Sequence, residues 1–574
     1  MTAVRESGSL VVAALRAGRG STLWLVALSV VNAAVVIAVP ALLGTAVNLA
    51  LTRGPGDGLV LVVIGLLLVG LAAESLVEVA DFSARTRALR YLRLGLLTHV
   101  FTLGFRGQRR FNQGDLVNRL TDATHQTAQA ANVVTRIGVP LLTSLGGIVA
   151  LFAIDWPLGV AFLLIGPLLV VVTLRHLKRI TALSIEAAVE QAGVATRLSD
   201  AIRGLRTIRA SGTAEQEVAR VLAPARSLRS LSLRIWLKQR QVTWETSVLA
   251  PLLQVVVLGV AGWGVVAGRI SVGEVLAASS YLAYAMGIFQ QAGSAREIGQ
   301  IRAAAARLRA VADEPGLPGG DEPLPAGRGA LSFRGVGSDV GERQVLRDIT
   351  FDVPAGATVA LVGESGVGKT TLTALAGGLL APDRGVVTFD GVPTTELRPE
   401  ELRRAVVYAF ERPNLLGTTI ADALRYGDDT VPDARLDAAL LSTSAEDFVA
   451  RLPQRTGTPL DGLRLSGGEV QRLGLARAAC RSARLIVMDD ALSSVDTATE
   501  AAISAALHEA SRGSTRLLIA HRTSTAARAD VVVWLHGGTV AGIGTHRELR
   551  ADPRYRAVFA LAEEPELDTA ETGS

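Results

Sequence analysis

Cysteine, lysine and charged residues in general are scarce in this 574-residue sequence, and each scarcity excludes something. The single cysteine, Cys480, cannot form an internal disulfide or a cysteine-based metal cluster. Lysine occurs only at positions 178, 238 and 369, so arginine supplies nearly all of the positive charge. Charged residues make up only 19%, whereas hydrophobic residues reach 49%. Length and hydrophobicity together predict at least two structural units, one of them within a membrane.

The positive charge of the sequence does not indicate a nucleic-acid partner. The formal net charge is only +5, although the pI is about 9.7. The excess arginine lies in segments that flank apolar runs, where cytoplasmic positive charge sets the orientation of membrane helices. We therefore expect membrane lipid, and no nucleic acid, among the partners.

Six apolar segments are long enough to be membrane-spanning helices, because about 20 helical residues cross the hydrocarbon layer. A secretory signal peptide is the alternative for the first segment, but the run is too long and has no small-residue cleavage pattern. We predict a true span there. The predicted spans cover residues 23–51, 58–80, 137–154, 156–174, 246–268 and 275–295.

The distribution of arginine predicts the orientation of these helices. Arginines are frequent between residues 81 and 136, whereas the loops on the other side carry only Arg53 and Arg269. The positive-inside rule then places both chain termini in the cytoplasm, and we expect a multi-pass protein of the plasma membrane. The segments 81–136 and 175–245 are too long for turns, and their helical periodicity predicts long cytoplasmic extensions of the spans.

The second half of the sequence has the composition of a soluble α/β domain. We expect the transmembrane domain over 1–312, a Pro- and Gly-rich linker over 313–329 and the soluble domain over 330–560. Short β-rich runs that alternate with helical patterns predict the α/β class. The acidic segment 561–574 is predicted to be disordered.

A phosphate-binding motif, GxxxxGK[ST], follows the apolar run 359–362 and precedes a helical pattern, which is the context this motif requires. Glycines let backbone N–H groups surround phosphates, Lys369 supplies a positive charge, and the Thr370 hydroxyl can reach Mg²⁺. The motif predicts ATP and Mg²⁺ as cofactors. Its candidate nucleotide-binding residues are Gly363, Glu364, Ser365, Gly366, Val367, Gly368, Lys369, Thr370 and Thr371.

A second element of the same site is the acidic pair after the predicted strand 485–488. At the end of that strand, Asp489 can hold the metal while Asp490 polarises the attacking water. An acidic turn after a buried strand is the alternative for the pair alone. Downstream of a phosphate loop, the pair instead predicts a metal site with Asp489 and Thr370 as ligands and Asp490 as the catalytic base.

The sequence Leu-Ser-Gly-Gly-Glu at 465–469 makes the interpretation specific, because here the chain resembles the ATP-binding cassette (ABC) family. In that family this signature loop contacts the γ-phosphate of ATP bound to a second cassette. The resemblance therefore implies a dimeric half-transporter, with nucleotide between two subunits. The residues matching the signature are Ser466, Gly467, Gly468 and Glu469, the last in place of the usual glutamine.

Further matches complete the resemblance. The Ser-Val-Asp sequence ending at Asp496 resembles the D-loop, and His521 resembles the switch histidine. Looser patterns at 111–122 and 204–208 resemble the two coupling regions of the exporter branch. The implied fold is a multidomain membrane protein, with a six-helix all-α transmembrane domain fused to an α/β P-loop NTPase domain of the ABC type.

Several positions depart from the family pattern. The residue at the catalytic glutamate position is Asp490, and the Q-loop position, which would ligate Mg²⁺, is Glu411. An aromatic residue that would stack on adenine is missing near Val340, and Pro459 and Leu460 replace the usual Gly-Glu before the signature. These departures predict weak intrinsic hydrolysis and favour a heterodimer, in which this chain's signature completes a partner's site.

The predicted activity is ATP-driven export of an unidentified substrate of lipid, peptide, drug-like or natural-product class. Glu74, Glu78 and Asp81 near the inner end of the second span could mark a path for a cationic or polar group. They could equally lie in an aqueous vestibule or on the cytoplasmic extension. Two alternatives stay open for the whole chain, namely an importer of exporter architecture and a nucleotide-binding regulatory half.

Overall fold

The computed structural model describes residues 10–53, 57–291, 294–341, 343–493, 497–510 and 512–560. It forms two compact units. The first unit contains 1–100 and 113–314, and the second contains 101–112 and 315–574.

The first unit is entirely helical in its described part, and it contains six helices long and apolar enough to cross a membrane, as predicted. The second, fourth and fifth of these extend far beyond the apolar runs, which are the long extensions expected from the sequence. The sixth ends at residue 290, five residues before the expected end. The helices are α1 (Leu10–Ala17), α2 (Arg19–Arg53), α3 (Asp57–Thr102), α4 (Phe105–Arg110), α5 (Gln113–Asn118), α6 (Thr124–Ala128), α7 (Val139–Ile154), α8 (Trp156–Arg203), α9 (Leu205–Ser211), α10 (Ala214–Leu222), α11 (Ala225–Val266), α12 (Val272–Gln290) and α13 (Ser294–Ala312), of which α4 and the last two residues of α3 belong to the second unit.

Small residues allow the membrane helices to approach closely. A side chain at Gly273 of α12 would come within 1.9 Å of the Gly44 carbonyl oxygen of α2. Asn48 fixes the same crossing, because its side chain donates to Ser271 Oγ at 2.6 Å and accepts from the Gly273 N–H at 2.8 Å. Close approach with interhelical hydrogen bonds is the usual way in which helices associate in lipid.

The segment Phe101–Asn112 packs as part of the second unit although it lies between membrane helices in the sequence. The Phe105 N–H donates to the Leu379 carbonyl oxygen at 3.2 Å, and the ring packs against the hydrophobic core. Arg106 forms an ion pair with Asp383. Sequence periodicity did not predict this, since the segment continues the helical pattern of α3.

The second unit is an α/β domain with two sheets. A four-stranded antiparallel sheet has the order β2-β1-β4-β5, and a six-stranded sheet has the order β10-β9-β3-β8-β7-β6. The strands are β1 (Leu331–Val340), β2 (Arg343–Val353), β3 (Thr358–Gly363), β4 (Arg384–Phe389), β5 (Val392–Pro393), β6 (Val406–Phe410), β7 (Leu485–Asp489), β8 (Thr515–Ile519), β9 (Val531–His536) and β10 (Thr539–Gly544). The helices are α14 (Lys369–Ala376), α15 (Pro399–Ala405), α16 (Ile420–Arg425), α17 (Asp433–Ser442), α18 (Glu446–Ala450), α19 (Gly467–Cys480), α20 (Thr497–Ala510), α21 (Thr523–Ala527), α22 (His546–Leu549) and α23 (Pro553–Ala560).

A hydrophobic core joins the two sheets around α14. Phe333 of β1 and Phe351 of β2 stack with ring centroids 4.5 Å apart, and both are buried. The central strands β3, β8 and β7 run parallel, so their carboxyl ends meet at one edge of the sheet. Most of the segment 313–329, expected as a linker, belongs to this unit from residue 315 onward, and the Glu322 N–H donates to the Glu396 carbonyl oxygen at 3.0 Å.

Candidate nucleotide-binding site

The phosphate-binding motif forms a loop between the buried strand β3 and helix α14. Gly366 and Gly368 have φ angles of 79° and 109°, a region that L-residues with side chains avoid. A Cβ atom at Gly368 would also lie 2.6 Å from a methyl group of Leu346. The loop therefore needs glycine at these positions, and its shape brings the first turn of α14 to the carboxyl end of β3.

Lys369 is buried at the start of α14, with only 6% of its surface exposed. Its ammonium group donates to the carbonyl oxygens of Gly363 at 2.6 Å and Glu364 at 3.0 Å. Burial lowers the pKa of Lys369, and the nearby carboxylates of Asp490 and Asp489 oppose this shift. A buried cation at the mouth of a glycine-rich loop is suited to binding phosphate oxygens.

Thr370 and Asp489 bring hydroxyl and carboxylate oxygens together at the end of β7. Thr370 Oγ1 donates to Asp489 Oδ1 at 3.1 Å. Burial raises the pKa of Asp489, and the charges of Asp490 and Glu411 add to the increase. This donor set fits Mg²⁺, which prefers oxygen ligands and retains waters and phosphate oxygens for the rest of its shell. Thr371, the other hydroxyl of this turn, is buried.

Asp490 and His521 face each other at the same edge. His521 Nε2 lies 3.9 Å from Asp490 Oδ2. Asp490 has a φ angle of 51°, in the left-handed region that aspartate tolerates better than most residues. Burial raises the pKa of Asp490 and lowers that of His521. The charge of each group opposes the pKa shift of the other.

Glu411 follows strand β6, which pairs with β7 so that Phe410 lies opposite Asp489. Its charge contributes to the raised pKa values of Asp489 and Asp490, so three carboxylates share this edge. The Glu411 side chain is about half exposed and lies 3.5 Å from Arg412 Nε. We propose it as a residue that can approach a metal ion bound by Thr370 and Asp489.

Gln471 connects three parts of the site, a role that the sequence did not reveal. Its side-chain amide donates to the Glu411 carbonyl oxygen at 2.8 Å and to Ser493 Oγ at 3.0 Å. It therefore links helix α19, the segment after β6 and the segment after Asp490. Its position two residues after the signature was the only available signal.

Glu500 is a second connection that the sequence analysis missed. It is buried on helix α20, accepts a hydrogen bond from Thr525 Oγ1 at 2.6 Å and forms an ion pair with Arg522. These contacts tie the segment after His521 to α20. The three residues and Asp490 border a cavity of about 660 Å³.

The signature loop lies at the N-terminus of helix α19, where Ser466 is exposed and caps the helix. Ser466 Oγ accepts from the Glu469 N–H at 3.3 Å, and Glu469 Oε2 accepts from the Ser466 N–H at 2.7 Å and its hydroxyl at 2.9 Å. Gly467 and Gly468 form the first turn, so its N–H groups and helix dipole suit an anion. Within the described residues, the N–H and hydroxyl of Ser466 bond to Glu469 and its carbonyl oxygen accepts from the Val470 N–H at 3.0 Å, so these bonds stay within the start of α19 and do not reach the phosphate loop of the same chain.

Three further positions were singled out in the sequence, near the adenine-stacking, pre-signature and D-loop segments. Val340 ends β1, and its Cα pairs with that of Arg343. Leu460 N–H donates to the Thr418 carbonyl oxygen at 3.0 Å, so backbone bonding ties the segment before the signature to the segment after the Q-loop position. Asp496 lies outside the described residues.

The three acidic residues near the inner end of the second span differ in their surroundings. Glu74 and Glu78 are exposed on α3. Asp81 accepts hydrogen bonds from Asn132 Nδ2 at 2.7 Å and Thr135 Oγ1 at 3.2 Å. A role for these residues in a substrate path stays a hypothesis.

Comparison with known proteins identifies two matched regions. Residues 22–289 match the model for the ABC transporter transmembrane region, and residues 346–493 match the model for ABC transporters. The chain is 38% identical over 552 residues to the ABC transporter ATP-binding protein RamA of Streptomyces coelicolor, covering 94% of this chain and 85% of that protein.

Other relatives carry more specific names. An ATP-dependent lipid A-core flippase of Chromobacterium violaceum is 30% identical over 85% of both chains. A multidrug efflux ATP-binding/permease protein of Mycobacterium tuberculosis is 32% identical over 80% of this chain, which spans 39% of that protein. The fold matches the structure of a bacterial Atm1-family ABC exporter with ATP bound, with a TM-score of 0.79 and 24% identity over 96% of this chain and 99% of that one. The chain therefore belongs to the ABC transporter family and is a multi-pass membrane exporter with a fused ATP-binding domain.

Proposed function

We propose that this chain is one half of a dimeric exporter that uses ATP to move an amphiphilic substrate out of the cytoplasm. The observation that carries the proposal is the pairing of a phosphate-binding site with an exposed Ser466 whose side chain, in the part of the chain that the structure describes, bonds to Glu469 and not to that site. One chain then holds two half-sites, and a second cassette is needed to complete each. The substrate class rests on the names of relatives, a lipid A-core flippase and a multidrug efflux protein.

In the proposed cycle, Lys369 exchanges its loop carbonyl partners for the β- and γ-phosphate oxygens of ATP. Thr370, Asp489 and Glu411 would hold Mg²⁺, which neutralises phosphate charge. Asp490 orients and polarises the attacking water, and His521 contacts the γ-phosphate. ATP binding closes two cassettes, and hydrolysis and product release let them separate.

The side chains at the reacting centre support a heterodimer. Asp490 is one methylene shorter than glutamate, and Glu411 adds negative charge close to where the triphosphate would lie. Both features weaken hydrolysis at this chain's own phosphate loop. The signature helix, by contrast, retains its serine and two glycines, so we infer that it serves a competent site on a different half-transporter.

The membrane orientation and location belong to the same proposal. The asymmetry of arginine between the loops supports cytoplasmic termini, and the exporter function supports the plasma membrane. Accessibility of single cysteines introduced into the loops around Arg53 and Arg269 tests the orientation. Labelling of these cysteines by an impermeant reagent from outside the cell supports it, and labelling only from inside contradicts it.

The ATPase rate of the purified chain alone tests the proposed weakness of its own site. We expect slow phosphate release that rises when the chain is combined with its partner. Fast turnover by the lone wild-type chain would contradict the heterodimer proposal. Two further measurements address the alternatives: vesicle uptake of defined sidedness reveals an importer, and unchanged transport by a pair carrying Lys369→Ala favours a regulatory half.

A further inference from the structure

One face of helix α11 carries large, exposed side chains. Further along the helix, Leu253 and Val257 pack into the helical core, and both are fully buried. On the outward face, Trp236 is 56% exposed and Trp244 is 71% exposed. They lie eight residues apart, with Arg240 halfway between them, so the three form one stripe along the helix.

The arginine of this stripe is held against an aromatic ring. The Arg240 guanidinium lies 5.5 Å from the centroid of Trp236, within the range of a cation–π interaction. Such a contact leaves the other guanidinium donors free to bind a phosphate oxygen, because stacking uses the face of the group and hydrogen bonds use its edge.

The position of the apolar run in α11 implies that the stripe lies at the level of the lipid headgroups. The last 20 residues of α11, 247–266, are long enough to cross the roughly 30 Å hydrocarbon layer. Trp244 is three residues outside this stretch, and Arg240 lies about 10 Å from it along the helix axis. Tryptophan at this depth is typical of a membrane interface, where an apolar ring meets polar headgroups.

A hydrogen-bond network places basic residues of the neighbouring helix at the same level. His176 of α8 is buried, and its Nε2 lies 2.9 Å from Glu245 Oε2 of α11. Gln241 donates to the other oxygen of Glu245 at 2.8 Å. The residues around His176 on α8 include three exposed cations, Arg175, Lys178 and Arg179.

The charge of this region is strongly unbalanced. Glu245 is the only acidic residue in the sequence segments 171–182 and 234–250. Its carboxylate is already hydrogen-bonded to His176 and Gln241. The same segments hold six cationic side chains. These are Arg175, Lys178, Arg179, Arg234, Lys238 and Arg240.

We propose that this surface, which we call the indole–arginine belt (Trp236, Arg240 and Trp244 with Arg175, Lys178 and Arg179), binds the phosphate headgroups of anionic phospholipids in the cytoplasmic leaflet. Charge complementarity and the position at the end of the apolar run favour lipid over a protein partner. The proposal rests on the membrane orientation given above and goes beyond the transport function.

Quenching of tryptophan fluorescence by brominated lipid tests the belt in the full chain reconstituted into vesicles. The Trp244 signal is obtained by subtracting that of Trp244→Phe. We expect brominated phosphatidylglycerol to quench it more strongly than brominated phosphatidylcholine at the same mole fraction. Arg240→Gln and Lys178→Gln should each reduce this preference about fivefold.

Arg229→Gln is the matched control, since Arg229 is an exposed arginine of the same helix about 27 Å from residue 247. It should leave the preference unchanged. Equal quenching by the two lipids would overturn the proposal. Protection from both lipids, together with cross-linking of Trp244→Cys to a second subunit, would overturn it in favour of a subunit interface. The readout needs no ATP, so a chain that fails to transport can still show lipid preference, and the two proposals fail separately.

Discussion

Lengthening the proposed catalytic base by one methylene should increase ATP hydrolysis. Asp490 Oδ2 lies 3.9 Å from His521 Nε2, and its φ angle of 51° lies in the left-handed region. Asp490→Glu supplies the missing reach within the same sheet-edge geometry.

The size of the effect follows from the length of a carbon–carbon bond. One methylene moves the carboxylate by something over 1 Å. Misplacement of a reacting group by about 1 Å costs on the order of 100-fold in rate. We therefore expect Asp490→Glu to raise turnover by about 10- to 100-fold, which corresponds to roughly 1.4 to 2.7 kcal/mol of activation free energy.

Phosphate release by the full chain in lipid nanodiscs is the assay, because two copies in one disc supply the signature loop. Asp490→Asn gives the baseline without a base. Binding of a fluorescent ATP analogue, measured in parallel, verifies that the phosphate loop is unaltered. Turnover by Asp490→Glu at or below the wild-type rate, with unchanged nucleotide binding, would show that the short side chain of Asp490 does not limit hydrolysis.

Three further predictions concern other parts of the chain. Glu469→Gln removes the charge beside the signature serine and should tighten nucleotide-dependent dimer formation several-fold, measured by size-exclusion chromatography with ATP; weaker association would contradict it. Gly273→Ala should lower the melting temperature, because its Cβ would collide with the Gly44 carbonyl, whereas Gly259→Ala meets no atom within 4 Å and serves as the control. Phe333→Ala should cost the second unit about 3–5 kcal/mol in urea unfolding, because it leaves a cavity in the core, and an unchanged unfolding free energy would contradict it.

The features that could be predicted from sequence are those encoded locally. The phosphate loop needs glycines and a lysine at fixed spacing, and a membrane span needs about 20 apolar residues, so both are visible in a short window. The strand that delivers Asp489 was also visible, since a buried parallel strand is a continuous apolar run.

What the sequence did not reveal depends on contacts between distant segments. Phe105 packs against the hydrophobic core of the second unit although it lies more than 200 positions before that unit's first strand, and the helical periodicity around it does not indicate this. Gln471 and Glu500 act through partners on other elements. Strands β1 and β2 of the antiparallel sheet show no regular alternation in sequence, since bulges or irregularities interrupt their register.

A structure of the chain with its partner and ATP, trapped with Asp490→Asn, tests the central claim most directly. We predict that the Ser466 hydroxyl and the first N–H groups of α19 lie within hydrogen-bonding distance of the γ-phosphate of ATP held by the partner's phosphate loop. A signature loop turned away from any triphosphate in the ATP-bound dimer would contradict it.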